Sequence, residues 1–514
     1  MLRLRRINRA QKSSPVAVQS PVGGWNARDG FDSMRPEDAI NLDNWFPAFG
    51  KCSVRNGSLA YANTLGGTVG MTAEFNAGSS RKMISAANNK IWDISSAGAG
   101  VSLATGFTSN RWNVSQFDDS GGGARSGLVN GADAPQIYNG ATVAAMTISG
   151  TSLTPANLNG IHIHKSRSYF WDDRTQSFWY SAVNALGGTL TQFPIGRVQG
   201  TGGNLLAMGT ISHDAGSGML DLAAFILSSG DVLVYQGSNP GDSADWSLVG
   251  KYSIGAPIEK RAIKKVGADL IIVCKAGYLP ILSMVRGGTF NDQKASISNK
   301  IRGAAIDAVN SWGANIGWDI LHYPTKNMLI VNVPTSTTSS VQHVMNTETG
   351  AWCRFKGLDA RCWTLYNNVP YYGTSAGTVV QFDSGASDLG AAIDADAQTS
   401  WNYLSDRRNK KRATGIKFGF ATTGSAISGS FGVGFDFKTI DLSAFQIAGG
   451  SASSPWDTSD WDTTSWGDEF ATQTGWYSAK GDGYAIGSRI RIMSSVSGAD
   501  WYNTTYLVEP GGIL

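Results

Sequence analysis

Few residues of this 514-residue chain are spaced as catalytic or metal-binding groups usually are. His162 and His164 would point to one face of a strand, because side chains alternate along an extended backbone. Two imidazoles do not complete a metal site, and no cysteine or acid supplies the remaining ligands at a useful spacing. We therefore expect no metal and no cofactor, and we interpret the two histidines as surface or core residues.

Paired carboxylates, which a glycosidase would need, are the next candidates. Asp172-Asp173 and Asp118-Asp119 are adjacent in the sequence, and adjacent strand residues point to opposite faces. The stretch Gly241–Trp246 is only superficially like a sialidase Asp-box. The phosphate-binding loop, the nucleophile elbow and the metalloprotease helix motif are all missing from the sequence. These observations predict that the chain is not an enzyme.

A basic run is the strongest local charge feature. It consists of Arg407, Arg408, Lys410, Lys411 and Arg412, interrupted by Asn409. Such a run suits contact with DNA phosphate or with an acidic neighbouring subunit. A solvated loop before a strand is the default interpretation of so short a run.

A five-residue repeat near the C-terminus places Trp456-Asp457, Trp461-Asp462 and Trp466 in succession. Exposed Trp beside Asp is typical of glycan recognition. The favoured alternative is a series of tight Asx or ST turns whose Trp rings cap a C-terminal sheet.

The composition restricts the class of protein. Lys and Arg total 42 against 39 for Asp and Glu, so the net charge is only +3, whereas a dedicated nucleic-acid binder is strongly basic. Charged residues make up 16%, and there are 63 glycines, which is typical of a turn-rich all-β chain. Four separated cysteines (52, 274, 353 and 362) suggest buried thiols of a protein made in the cytosol. We find neither a secretory signal nor an apolar run long enough for a membrane segment.

Hairpin signals recur from about residue 58 to residue 388, each an apolar strand, a short polar turn and an aromatic strand. The seven hairpins span residues 83–94, 127–140, 161–171, 225–235, 270–282, 321–331 and 363–372. Their spacing predicts a six- or seven-bladed β-propeller, since radial repetition protects the edges of many short strands. A pair of β-sandwiches is the structural alternative.

The remaining sequence predicts two flanking regions. Alternating patterns at Ile416–Phe420, Phe431–Phe435 and Ile490–Ile492 indicate half-buried strands of a smaller, β-sandwich-like domain. We therefore divide the chain into a leader at 1–57, a propeller at 58–390 and a C-terminal β-domain at 391–514. The leader and the C-terminal domain together are expected to form a platform.

The leader itself is dense in Gly, Pro, Trp and Asn. Pro36 followed by Glu37 and Asp38 predicts a helix of one or two turns that ends before Asn44–Pro47. Candidate interface residues are Trp25, Arg28, Asp29, Trp45 and Phe46, because Trp is frequent among interface hot spots and Arg28 and Asp29 can pair across an interface. The leader is thus interpreted as a docking element, with an ordinary N-terminal strap as the alternative.

Several of these motifs together resemble the tail nozzle, or tail hub, proteins of short-tailed bacteriophages. The resemblance begins with Ser20–Phe46 and continues in chain order through Phe178-Trp179-Tyr180 with Gly187-Gly188, Asp231–Pro240, Trp246–Gly250, Val344–Trp352 and the two Trp-Asp units at 456–457 and 461–462. It therefore extends over nearly the whole chain.

The resemblance implies a β-propeller in a homo-hexameric ring located in the virion tail, below the portal-adaptor ring. Its further partners would be tail fibre, tailspike or needle proteins, and double-stranded DNA would pass without sequence-specific contact. The alternatives are a propeller that binds a host receptor or glycan and a phage glycosidase or depolymerase.

Overall fold

The computed structural model describes residues 13–510, apart from 79, 121, 198–201, 215–218, 288–295, 423–425, 448–470, 473–474 and 496–497. The Trp-Asp repeat at 456–466 lies outside the described residues. The chain divides into two units. Unit 1 draws its described residues from 1–58, 344–356 and 384–514, and unit 2 from 59–343 and 357–383. Unit 1 thus takes in 344–356 and 384–390, which the sequence analysis placed with the propeller.

The described structure is all-β, with two short α-helices and four single turns of 3₁₀-helix. The helices are α1 (Ile281–Gly287) and α2 (Arg302–Trp312), and the 3₁₀ turns are Pro155–Asn157, Ile195–Arg197, Asn299–Ile301 and Pro324–Lys326. The strands are β1 (Ser14–Gln19), β2 (Gly24–Trp25), β3 (Asp38–Asp43), β4 (Trp45–Ala48), β5 (Lys51–Val54), β6 (Ser58–Asn63), β7 (Met71–Ala77), β8 (Ser80–Ala87), β9 (Lys90–Asp93), β10 (Gly98–Ala99), β11 (Val101–Thr105), β12 (Asn113–Asp119), β13 (Gly123–Val129), β14 (Gln136–Tyr138), β15 (Val143–Ala145), β16 (Ile148–Gly150), β17 (Gly160–His164), β18 (Arg167–Trp171), β19 (Ser177–Tyr180), β20 (Gly188–Pro194), β21 (Leu205–Asp214), β22 (Met219–Leu227), β23 (Asp231–Gln236), β24 (Ser247–Ser253), β25 (Ile263–Val266), β26 (Asp269–Cys274), β27 (Gly277–Pro280), β28 (Asp319–Tyr323), β29 (Met328–Pro334), β30 (Ser340–Asn346), β31 (Trp352–Phe355), β32 (Cys362–Tyr366), β33 (Val369–Gly373), β34 (Val379–Phe382), β35 (Ser387–Asp388), β36 (Ala391–Thr399), β37 (Lys411–Thr422), β38 (Ile427–Phe435), β39 (Ser443–Ile447), β40 (Ala471–Thr472), β41 (Tyr477–Gly483), β42 (Ile486–Ser494) and β43 (Ala499–Pro510).

The seven predicted hairpins are confirmed. They are the antiparallel pairs β8–β9, β13–β14, β17–β18, β22–β23, β26–β27, β28–β29 and β32–β33. Two of the turns show why the sequence signal is strong. Asn88-Asn89 and Asn367-Asn368 all have positive φ, between 51° and 62°, and two-residue hairpin turns of type I′ require this conformation at both central positions. Asn adopts it more readily than most residues.

The small sheets of unit 2 surround one cavity of about 640 Å³. Seven of the strands that line it, β7, β12, β17, β21, β25, β28 and β32, each lie at the edge of their own run of strands. Trp171 of β18 and Leu270 of β26 also line the cavity. The last run has the order β6-β34-β33-β32, so the first strand of the unit pairs beside the last. The arrangement is therefore propeller-like.

An aromatic core joins neighbouring sheets of unit 2. Phe178 of β19 stacks on Phe225 of β22 with ring centroids 4.7 Å apart, and Tyr235 of β23 stacks on Trp246 at 5.2 Å. All four side chains are buried. Buried aromatic pairs add stacking energy to a large buried apolar area. Phe178, Tyr235 and Trp246 also belong to the motifs that carry the family resemblance, so these motifs form core packing in this chain.

The predicted helix after Pro36 is wrong, because residues 38–43 form strand β3. This strand pairs in parallel with β2 and antiparallel with β36, and the buried Asp38 carboxylate accepts a hydrogen bond from Asn26 Nδ2 at 2.7 Å. Favourable charges in a first helical turn contribute only about 0.3–1 kcal/mol. Pairing on both edges of the strand outweighs that local preference.

Two short helices, α1 and α2, interrupt the β-structure of unit 2. Helix α2 buries Ala305, Ala308 and Val309. These residues share one helical face at spacings of three and four, and alanine has the highest helix propensity.

In unit 1 the strands of the leader are built in among those of the C-terminal region. One sheet has the order β4-β5-β43-β37, with β1 also paired to β43. In the other, β3 pairs with β36, which pairs in turn with β42. Trp45 is completely enclosed, with its ring centroid 5.8 Å from that of Trp501 and 6.3 Å from that of Phe420. The aromatic core of unit 1 therefore combines residues from both ends of the sequence.

Replacing Trp45 with alanine should lower the free energy of unfolding by about 3–5 kcal/mol, because the variant leaves a cavity in this core. Denaturant unfolding of the full chain measures the change. The matched control is Phe49→Ala, since Phe49 is 69% exposed and its loss should change stability by less than about 0.5 kcal/mol. Equal stability of the two variants would contradict the enclosed position of Trp45.

Candidate functional site

Two motifs that are far apart in the sequence meet in unit 1. A Cβ added to Gly24, whose φ is +82°, would lie 2.6 Å from the carbonyl oxygen of Trp352, so only glycine permits this approach. The Arg354 guanidinium lies 5.1 Å from the centre of the Trp25 ring, and Asn346 Nδ2 donates to the Pro47 carbonyl at 2.9 Å. The leader and residues 344–356 thus form one connected cluster, which we call the leader cluster.

Ion pairs hold the leader cluster together. The buried Asp43 carboxylate accepts from Arg354 and Lys356, each at 2.6 Å, and both of these cations are partly exposed. Arg55 is buried, pairs with Asp388 and also donates to the carbonyls of Asn56 and Lys356. Removing Asp388 would cost about 3–5 kcal/mol, because the buried Arg55 charge would be left uncompensated. These residues position the cluster, and no motif in the sequence identified them.

The predicted interface residues of the leader occupy different environments. Trp45 is fully enclosed and Trp25 is buried under Arg354, so Trp45 presents no surface to a partner. Phe46 is half-buried, with its ring 6.5 Å from that of Phe355. Both tryptophans shape the leader cluster from within.

Arg28 and Asp29 form an ion pair with each other at 2.7 Å rather than remaining unpaired for an interface. Their backbone N–H groups both donate to Asn26 Oδ1, which closes an Asx turn. The Arg28 side chain is 46% exposed. A partner would therefore meet this turn and its ion pair at the surface of unit 1.

The basic run begins on a loop and ends in β37, because Lys411 and Arg412 are the first two residues of that strand. Arg407 stacks on the Tyr403 ring at 4.3 Å and lies 3.5 Å from Asp32, while Lys410 is 3.7 Å from Asp482. Arg408 and Arg412 are exposed. Lys411, in contrast, is buried, and its ammonium donates to the carbonyls of Asp406, Asn409 and Tyr484. Four cations are thus available to a partner, and the fifth stabilises the loop.

A charged segment that the sequence analysis missed lies beside the large cavity in unit 2, where several of its strands begin. Arg261 donates to the carbonyls of Gly70 and Trp112, and Lys260 Nζ donates to the carbonyl of Asn159 at 2.8 Å. These carbonyls directly precede strands β7, β12 and β17, whereas Arg261 precedes β25. We call Glu259-Lys260-Arg261 the axial tie, because it joins the starts of four of the cavity-lining strands. Its only sequence signal is three consecutive charges in a weakly charged chain.

His162 and His164 share one hydroxyl group. His162 Nε2 and His164 Nδ1 each lie 2.9 Å from Thr210 Oγ1. Burial, together with nearby positive charge, lowers the pKa of His162 to about 3 and that of His164 to about 4, so both rings are neutral at physiological pH. Nowhere in the described ranges do three His, Cys, Asp or Glu side chains gather as metal ligands. The acids Asp172 and Asp119 are engaged in local ion pairs with Arg174 and Arg125.

No family model and no curated protein matches the chain. Among solved structures, it is similar to the computationally designed Ika8 protein, with 10% identity, 63% of this chain and 99% of that chain covered, and a TM-score of 0.34. It is similar to BBS1N in complex with ARL6DN at 9% identity, with 65% of this chain and 100% of that chain covered and a TM-score of 0.40. It is similar to Raptor of Chaetomium thermophilum at 10% identity, with 65% of this chain and 30% of that chain covered and a TM-score of 0.39. Such distant likenesses carry no argument about function.

Within the described segments, no helix is long and apolar enough to cross a bilayer.

The two histidines predict a pH dependence of stability. Their pKa values in the folded chain lie below the ordinary value of 6.5, so the unfolded chain binds protons more tightly. Their contribution is fully present above about pH 6.5 and is lost as the pH falls towards their folded pKa values. The variant His162→Gln/His164→Asn keeps a polar nitrogen facing Thr210 but does not titrate. When the pH is lowered from 7.5 to 4.5, the free energy of unfolding should fall in both proteins. The fall should be smaller in this variant than in the unmodified protein by at least about 1 kcal/mol. Equal losses in parallel urea titrations would contradict the assignment.

Proposed function

We propose that this chain is a structural virion protein, the nozzle of a short bacteriophage tail. In this proposal six copies form a ring that continues the DNA channel below the portal-adaptor ring, retains the genome and then releases it. The observation that carries the proposal is the leader cluster. Its two main segments, 20–47 and 344–356, include two of the motifs on which the family resemblance rests, and they contact each other through Gly24, Trp25 and Asn346.

This contact supports the proposal, because two chance sequence matches would not be expected to lie against each other in the folded chain. The leader motif and the Val344–Trp352 motif are about 300 positions apart, as the hydrogen bond from Asn346 to Pro47 shows with its separation of 299. A shared cluster indicates that the resemblance follows a structural unit. The exposed Arg28–Asp29 turn belongs to this unit and is the proposed docking surface for the adaptor ring.

The proposal includes a finer description of the fold. Seven edge strands around one cavity, with β6 beside β34, favour a seven-bladed propeller closed by its first strand. The two sheets of unit 1 would form the smaller β-sandwich-like platform. A cavity of about 640 Å³, with Arg261 bonded to the carbonyls that precede two of its strands, is too small for a DNA duplex. DNA would therefore pass along the axis of the hexameric ring, between subunits, and not through a propeller.

The charge of the chain is compatible with this role. A net charge of +3 over 514 residues gives little electrostatic retention of phosphate, and DNA slides most easily where few Lys or Arg side chains displace its counterions. Head-to-tail interfaces generate closed rings of this kind.

The ring is tested by electron microscopy of particles of the virus that encodes the chain. Particles carrying the chain should show a sixfold density below the adaptor, labelled by an antibody against the purified protein. Particles made without the chain should have filled or leaking heads and no such density. A different ring number would refute the hexamer. Particles that retain their DNA and their tail but do not adsorb to cells would favour the receptor-binding alternative.

The basic run is tested by replacing Arg407, Arg408, Lys410 and Arg412 with glutamine while Lys411 is kept for its contacts with carbonyls. We expect unchanged thermal stability but a titre at least about tenfold lower, because acids or phosphate on a neighbour would lose their partners. The matched control replaces the exposed Lys326, Lys438 and Lys480 with glutamine. If both variants give normal titres, the run is a solvated loop.

A further inference from the structure

A second cavity in unit 2, of about 290 Å³, brings together three arginines from distant parts of the sequence. Arg111, Arg261 and Arg361 all line it, together with residues 68–70 and 108–110. Ile316 also lines this cavity and is 61% exposed, so one side of the cavity reaches solvent. We call it the arginine cavity. It shares Arg261 with the larger cavity.

Positive charge in the arginine cavity is only partly balanced. Arg111 pairs with Glu259, and Arg361 pairs with Asp359 at 2.7 Å. Arg261 donates only to the carbonyls of Gly70 and Trp112, and in the described part of the chain no carboxylate lies within ion-pair distance of it. The neighbouring Lys260 likewise donates to a carbonyl. The carbonyls satisfy hydrogen bonds but carry no full charge, and the carboxylates of Asp319 and Asp173 act on Arg261 and Lys260 only from beyond ion-pair distance.

The titration behaviour of this cluster agrees with the imbalance. Burial and the adjacent Arg261 charge lower the pKa of Lys260 to about 8 and that of Arg111 to about 10. A bound anion would reverse the effect of the neighbouring cations, since opposite charge stabilises the protonated forms. An anion bound in the arginine cavity would therefore raise the pKa of Arg111.

We propose that the arginine cavity binds a small oxyanion, a molecule carrying a carboxylate or a phosphate group. Most N–H donors of Arg111 and Arg261 have no partner among the described residues, and the planar guanidinium matches the geometry of both anions. Arg361 is nine-tenths buried and fixed by Asp359 and the Ser336 carbonyl, so it supplies a rigid wall. The volume admits a phosphate or a sugar acid. This site is independent of the proposed role in a phage tail.

The test titrates the full chain with inorganic phosphate and, separately, with glucuronate, at constant ionic strength, by isothermal calorimetry. We expect saturable binding with one site per chain for at least one of the two probes. Saturation by phosphate alone assigns a phosphate ligand, and saturation by glucuronate assigns a carboxylate ligand. Saturation by neither probe overturns the proposal.

Ile316 provides a matched pair of variants at an exposed position. Ile316→Glu places a carboxylate beside the three arginines. Because this carboxylate takes charge-assisted contacts that the probe would otherwise make, it should weaken binding of the probe by about tenfold to a hundredfold. Ile316→Gln has the same shape without the charge and should bind as the unmodified chain does. The Glu variant should also melt at a higher temperature than the Gln variant when no probe is present. Equal affinities of the two variants overturn the proposal.

Discussion

Unit 2 depends on the protection of its many short β-edges. A strand at a sheet edge presents unpaired N–H and C=O groups, and a chain of short sheets has many such edges. The structure arranges seven of them around one cavity and places β6 beside β34. Residues near 60 therefore pair with residues near 380. The sheets, the cavity and the close approach of the strand starts all follow from this closure.

The axial tie is the second consequence of that closure. Once the strand starts converge, their preceding carbonyls point into a narrow space and require donors. Arg261 and Lys260 supply these donors to the carbonyls before β7, β12 and β17. Because long cationic side chains can reach several carbonyls at once, one short segment serves three neighbours. The same reach leaves a local excess of positive charge, which is the basis of the proposed anion site.

Unit 1 is stabilised in a different way, because the strands of the leader are inserted among the C-terminal strands. Trp45 packs on Trp501, and the ion pairs Asp43–Arg354 and Arg55–Asp388 each join segments more than 300 positions apart. The leader is therefore a structural part of the unit as well as the proposed docking element. A partner that binds the exposed Arg28–Asp29 turn would meet a surface supported by these aromatic and ionic contacts.

The sequence by itself determined the features that local chemistry controls. Two Asn-Asn turns and the flanking apolar runs were enough to predict hairpins, because the turn conformation and the strand alternation depend on adjacent residues. It did not determine β3, where pairing on two edges overrode the helix signal of Pro36. It also did not reveal the axial tie, because Arg261 contacts residues 191 and 149 positions away. Only the tertiary structure decides which carbonyl groups and charged side chains come together. That depends on how the sheets of unit 2 are arranged around the cavity and not on the spacing of residues along the chain.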